Sequence, residues 1–136
     1  MLTTRSETVQ IRQTSDIVNV RQVVRSWCLA IGMGLVDLTK IVTAASEIAR
    51  NTLDYGRGGT MLIEELRDGI RAGVRLTFVD EGPGIPDIGR AMTDGYTSGG
   101  GMGLGLGGTK RLVDDFTIDS AAGAGTRIAI IKWKSR

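Results

Sequence analysis

At 136 residues and 14.5 kDa, with 41% hydrophobic and 24% charged residues, the chain has the length and composition of one globular domain, which excludes a disordered or fibrous protein. Its 17 Lys and Arg against 15 Asp and Glu, with no basic run, exclude an electrostatic footprint for nucleic acid; one Cys and no His exclude a disulfide framework, imidazole metal ligands and a phosphorylatable His. No stretch has the form of a signal peptide or membrane span, so the expectation is a single cytoplasmic domain over residues 1–136 with no membrane partner.

Residues 8–13 alternate polar and apolar as a short strand, and Thr14 or Ser15 can cap the helix that follows. In that helix Ile17, Val20, Val24, Trp27 and Ile31 recur at helical spacing until Gly32 and Gly34 stop it. Cys28 lies inside the apolar pattern and reads as a buried, inert thiol. Arg21 and Arg25 share a face of the same helix, either solvated or open to an acidic or phosphorylated partner. A second helix is predicted over residues 36–54, with Leu38, Ile41, Ala45, Ile48 and Thr52 on one face, ended by Gly56, Gly58 and Gly59. Residues 60–66 and 74–79 read as a hairpin turning at Asp68 and Gly69. Residues 85–92 read as a short helix or turn, residues 95–101 as a mobile loop and residues 104–115 as a third helix. Residues 116–120 and 126–133 form a last hairpin around residues 123–125. The order β, α, α, β, β, α, β, β predicts an α+β two-layer sandwich, a mixed sheet with about three helices on one face.

Four segments carry chemistry. Glu47 and Asn51 stand one helical turn apart on the second helix, so an acid and an amide project side by side, away from the apolar stripe. By itself that pair is also what a solvated helix face looks like. The strand of residues 76–79 ends at Asp80, followed by Glu81, Gly82, Pro83 and Gly84; a carboxylate beside glycines suits a base edge bearing an amine, hence adenine. Residues 98–106 are Gly-rich and run into a helical pattern, where successive backbone N–H groups and a helix N-terminus favour phosphate. Thr126 follows the turn of Gly123, Ala124 and Gly125 at the start of a strand. Gly103, Gly105 and Gly108 also match GxGxxG, but glycines precede them where a dinucleotide-binding strand must stand, and no Gly-Lys-Ser/Thr forms a Walker A loop.

Taken in order, Glu47 with Asn51, residues 80–84, residues 99–106 and residues 123–126 resemble the N box and three glycine boxes of the GHKL superfamily, whose ATP-binding domain is the Bergerat fold. The strings SEIARN (46–51), DEGPGIPDI (80–88), DGYTSGGGMGLGL (94–106), KRLVDDF (110–116) and the tail IKW (131–133) resemble the serine/threonine kinases of bacterial sigma-factor partner switching, of the switch-kinase type in the general stress pathway. The resemblance implies phosphoryl transfer from ATP with Mg²⁺ to a Ser or Thr of a STAS-domain antagonist protein, with a further regulatory target and a homodimer left open. It assigns Glu47 as the base that accepts the hydroxyl proton and Asn51 as the protein ligand of Mg²⁺. Asp80, supported by Thr126, would recognise adenine; Gly82, Gly84, Gly99, Gly100, Gly101, Gly103, Leu104 and Gly105 would shape the nucleotide site. Tyr55 departs from the superfamily, many of whose members carry a basic residue there; Arg50 is then the candidate cation at the transferring phosphate, or else a structural ion pair. A histidine-kinase fragment would need its His on another chain, and a gyrase, chaperone or mismatch-repair ATPase would need further domains. An ATP-gated anti-sigma binding module remains the non-enzymatic rival, against which Glu47 argues, since a pure binder needs no base.

Overall fold

A computed structural model describes residues 1–84, 92, 105–120 and 123–135. Five strands, β1 (Leu2–Ile11), β2 (Gly59–Asp68), β3 (Arg71–Asp80), β4 (Asp115–Ser120) and β5 (Thr126–Trp133), form one sheet in the order β1-β2-β3-β5-β4. All four neighbouring pairs are antiparallel, which corrects the expected mixed sheet. The helices α1 (Thr14–Ala30) and α2 (Leu35–Asp54) are joined to each other directly, so the long connection from β1 to β2 returns the chain beside β1 in the opposite sense.

The helical stripes read from spacing are the buried ones: Ile17, Val20, Val24, Trp27 and Ile31 of α1 and its end, and Leu38, Ile41, Ala45, Ile48 and Thr52 of α2. They meet Val9, Ile11, Met61, Ile63, Leu76, Phe78, Ile128 and Ile130, the alternate residues of four strands, in one core. Each fully buried Ile, Leu or Phe contributes about 1.5–3 kcal/mol, so the helices are held on this face of the sheet by burial. Cys28 is fully buried here, and burial pushes its thiol up to about 12, which keeps it protonated and unreactive at neutral pH.

Three local expectations differ in detail. The N-cap of α1 is Gln13, not Thr14 or Ser15, because the Asp16 carboxylate reaches back to accept from the N–H groups of Arg12 and Gln13 at 2.8 and 3.1 Å. The first strand begins at Leu2, six residues before the alternation signals it, because its early side chains are exposed on both faces and carry no burial pattern. The third helix, α3 (Gly105–Lys110), is shorter than expected, ending in the turn that precedes β4.

The tail of β5 is tied to the start of α2. Lys132, nearly buried, stands 3.6 Å from Asp37 and 3.7 Å from Asp114, and the Ser135 hydroxyl donates to Asp37. That hydroxyl first, then Lys132, holds the Asp37 carboxyl below the usual carboxylate range.

Candidate functional site

Glu47 and Asn51 emerge half-buried from α2, flanked by Ile48, Ala49 and Thr52, which are buried in the core. The helix ends tightly: the N–H groups of Tyr55 and Gly56 both reach the Asn51 carbonyl, at 2.9 and 3.2 Å, and Gly58 N–H reaches Thr52 at 2.9 Å. With its last carbonyls satisfied in this way, the chain turns into β2 and brings Gly56 against the end of β3. A Cβ at Gly56 would stand 2.3 Å from Asp80 Cγ, so the absence of a side chain there gives the carboxylate its room. Arg57, next in the turn, is left-handed at φ 60°, a conformation that strains any residue with a Cβ.

Asp80 ends β3 on the side that faces the helices, two residues beyond buried Phe78. Its Oδ1 accepts from Gly82 N–H at 2.9 Å, and its Oδ2 lies beside Gly56. Directly opposite on β5 stands Thr126, and opposite Thr126 on β4 stands Ser120. Gly59, Asp80, Thr126 and Ser120 therefore make one cross-strand row at the end of the sheet, glycine at one side and three polar side chains at the other. The Thr126 and Ser120 hydroxyls are 2.8 Å apart. The β4–β5 turn is clamped onto this row: Gly123 N–H donates to Pro83 O at 2.7 Å, and Gly125, at φ 79°, passes so close to the Asp80 carbonyl that a Cβ would lie 2.2 Å from it.

The structure thus joins Asp80, Gly82 and Thr126 in one place, with Gly84 following Pro83 into the same turn. Gly105 opens α3 at φ 70°, and its carbonyl accepts from the fully buried Thr109 hydroxyl at 2.8 Å. Gly99, Gly100, Gly101, Gly103 and Leu104 lie outside the described residues, as do the short helix or turn at residues 85–91 and the loop at residues 95–101. Arg50 is exposed, and among the described residues it has no ion-pair partner, so nothing there supports its structural alternative. Tyr55 is 39% exposed and caps the C-terminus of α2. A cavity of about 350 Å³ opens beside Asp80, lined by Arg12, Arg57, Thr60, Val79 and Glu81. Gly56 and Asp80 also form part of its wall, whereas Glu47, Asn51 and Thr126 do not. Gly56 and Ser120 carry no motif that marks them in the sequence; only the strand register and the helix-to-strand turn bring them to Asp80.

The residues present fit a nucleotide. Asp80 Oδ2 has no hydrogen-bond donor among the described residues and suits an exocyclic amine, while the Asn51 amide, half-exposed one turn from Glu47, offers the oxygen that Mg²⁺ prefers. No described helix is long and apolar enough to cross a membrane, and no group of three or more Cys, Asp or Glu able to hold a metal occurs among the described residues.

Residues 11–132 match the histidine kinase-like ATPase domain family. The chain is 46% identical to the serine/threonine-protein kinase RsbT of Bacillus subtilis over 92% of its own length and 94% of that protein. It is 34% identical to the anti-sigma F factor of Bacillus licheniformis over 74% of its length and 72% of that protein. Among solved structures, the RsbU and RsbW domains of a Mycobacterium tuberculosis protein superpose with a TM-score of 0.68, covering 98% of this chain and 33% of that one at 23% identity, a likeness of fold. With a family match over nearly the whole chain and this identity to RsbT, the protein belongs to the histidine kinase-like ATPase domain family, in its serine/threonine-protein kinase class.

Proposed function

We propose that this protein transfers the γ-phosphoryl group of ATP to a Ser or Thr hydroxyl of a STAS-domain antagonist protein, as a partner-switching kinase acting in the cytoplasm through a single domain. The observation that carries the reading is the pairing of Glu47 with Asn51 on the half-buried side of α2, in a chain 46% identical to a serine/threonine-protein kinase. Asp80 and Thr126 bind the adenine edge; Gly82, Gly84 and Gly105, with Gly99, Gly100, Gly101, Gly103 and Leu104, line the nucleotide. Glu47 accepts the proton as the partner's hydroxyl oxygen bonds to the γ-phosphorus and the bond to ADP breaks. Asn51 would hold Mg²⁺, which would supply neutralisation of the phosphate charge. Arg50, exposed and unpaired among the described residues, supplies a positive side chain on the same helix turn. Phosphoryl transfer is mostly positioning and electrostatics, which suits so small a set of side chains.

The anti-sigma F factor relatives favour a second reading, an ATP-gated module that sequesters a regulatory protein. One comparison separates the two: phosphate incorporation into a STAS-domain partner by wild type and Glu47→Gln, with complex formation followed on a sizing column, which also reports any homodimer. Wild-type transfer that falls roughly 10²- to 10⁴-fold in the variant, with ATP affinity unchanged, supports the kinase. Full transfer by Glu47→Gln removes Glu47 as the base. Binding of the partner without any transfer by wild type replaces the kinase with the binding module.

A further inference from the structure

The two helices present an outer face that the proposed function uses only around Glu47. They are joined by residues 31–34 and packed side by side, and so short a connection sets them antiparallel. Where α1 gives way to α2, three large apolar side chains are left in solvent: Leu29, Leu35 and Val36, the last two 71% and 69% exposed. Singly such residues are ordinary on a protein surface, but three gathered at one end of a helix hairpin mark a contact surface. Leu35 and Val36 also occupy the first turn of α2, where an acidic side chain would serve the helix better.

From that end a stripe runs along α2 to the site. Val36, Lys40, Thr43 and Glu47 follow one another at helical spacing, the first three exposed and Glu47 half-buried. Antiparallel packing brings Arg25, near the end of α1, level with Lys40, near the start of α2. Neither Arg25 nor Lys40 has a hydrogen-bond or ion-pair partner among the described residues, whereas Arg67, Arg71 and Arg75 on the sheet are each paired with a carboxylate. The helices offer no such partner: between residues 17 and 46 the one acid is Asp37, which is turned to Lys132 and Ser135. The outer face is therefore positive, with an apolar end and Glu47 along one stripe.

A hydroxyl that gives its proton to Glu47 comes within about 3 Å of it, so the protein carrying that hydroxyl covers the surface around it. Val36 lies about 16 Å along the helix from Glu47, and a standard interface spreads over roughly 800 Å² of each partner, a disc roughly 32 Å across. One interface can hold both. We propose that the phosphate-accepting protein docks along this face, setting an apolar side chain against Leu29, Leu35 and Val36 and carboxylates against Lys40 and Arg25, so that its Ser or Thr hydroxyl arrives at Glu47. The partner that fits is one whose own surface is acidic beside an apolar projection. The inference rests on the reading of Glu47 as the base and adds where the substrate is held.

The test measures Kd for a purified STAS-domain antagonist, and KM and kcat for transfer to it, on wild type, Val36→Asp, Lys40→Glu and Thr117→Asp. Val36→Asp puts a carboxylate in the first turn of α2, where it favours the helix, so lost binding is not lost folding; a thermal melt checks each variant. Thr117→Asp is the control, because exposed Thr117 alternates with the inward Phe116 and Ile118 and so places the same charge on the face of the sheet turned away from the helices. Expected are Kd and KM raised roughly tenfold or more by Val36→Asp and by Lys40→Glu, with kcat and ATP affinity unchanged and Thr117→Asp like wild type. The loss in Lys40→Glu should shrink as salt is raised. A Kd unchanged in either helix variant overturns the proposal, as does a fall in kcat at unchanged KM or an equal loss in Thr117→Asp. Wild type that binds the partner but transfers nothing overturns the kinase reading, while the Kd comparison still decides whether the partner sits on this face. Wild type that binds no STAS-domain protein overturns the partner reading and this proposal together.

Discussion

Replacing Asp80 by Asn changes one atom and, because of how the carboxylate is held, reverses the polarity of the edge offered to the base. Oδ1 accepts from Gly82 N–H at 2.9 Å, and only an oxygen can continue to do so. The Asn carbonyl is therefore pinned on Gly82, and the amide NH2 takes the place of Oδ2 beside Gly56. An adenine amine then faces a donor where it had a charged acceptor. A hydrogen bond to a charged group contributes about 1.5–3 kcal/mol, so ATP affinity falls roughly ten- to a hundredfold. GTP loses nothing comparable, since its carbonyl oxygen gains a donor, and the preference between the two nucleotides shrinks by at least the ATP loss. Calorimetric titration of both nucleotides into wild type and Asp80→Asn measures the two changes together, and a melt confirms the fold. Unchanged ATP affinity in a folded variant would remove Asp80 from the nucleotide site. A loss of ATP affinity matched by an equal loss for GTP would keep Asp80 in the site but refute the pinned-amide reasoning.

Asn51→Ala should leave α2 intact, since Ala is the better helix former, while nucleotide binding measured with and without Mg²⁺ loses its metal dependence; a Mg²⁺ effect of full size would put the ligand elsewhere. Arg57→Gly relieves a left-handed residue at the α2–β2 turn, a gain of up to about 1 kcal/mol after the flexibility of Gly is set against it, read as a Tm higher by a few degrees. No rise in Tm would mean that the turn tolerates Arg57 without strain. Glu64→Gln tests the ion pair on the face of the sheet opposite the helices, where Arg75 donates to both Glu64 oxygens at 2.9 and 3.1 Å and holds its carboxyl below the usual glutamate range. A lowered folded-state value gives stability that is complete above the ordinary glutamate pKa and lost as pH falls through the folded value. The pair is partly solvated, so the difference between wild type and variant should be about 1 kcal/mol at neutral pH and shrink in chemical denaturation as pH falls below the ordinary glutamate range. A difference that persists in acid would assign the effect to packing.

Much of this protein was written in local pattern. The stripes of α1 and α2 are legible because burial on one face of a helix imposes a 3.6-residue period, and every residue of those two stripes is buried. Glu47 and Asn51 follow from the same arithmetic, since one turn of helix leaves no other arrangement for them. The two hairpins are legible because Gly69, Gly123 and Gly125 adopt the positive φ that their turns require. Asp80 could be singled out because it ends an apolar strand and is followed by glycines. The early half of β1 was invisible, being exposed on both faces and held by its ladder to β2, by the Thr3 and Thr4 hydroxyls on Glu64 and Glu65, and by the Arg5 guanidinium over the Trp27 ring.

What the chain could not announce locally is everything that depends on strand register and on pairing between distant segments. An order of β1-β2-β3-β5-β4 with every pair antiparallel is a choice among topologies that share the same strands, and it is made by burial of one common face under α1 and α2. That register places Thr126 opposite Asp80 and Ser120 opposite Thr126, across 46 residues of chain from Asp80 to Thr126, so the polar row exists only in the folded sheet. The approach of Gly56 to the Asp80 carboxylate is decided in the same way, by where the end of α2 meets the end of β3. Nearly buried Lys132 makes the same point: a lysine on a strand reads as exposed until Asp37 from α2 and Asp114 before β4 are brought to it. Periodicity records which face of an element is buried, because hydrophobic transfer acts on each side chain separately. Hydrogen-bond partners across a sheet depend on which strand arrives alongside, and that is settled only when the whole core closes.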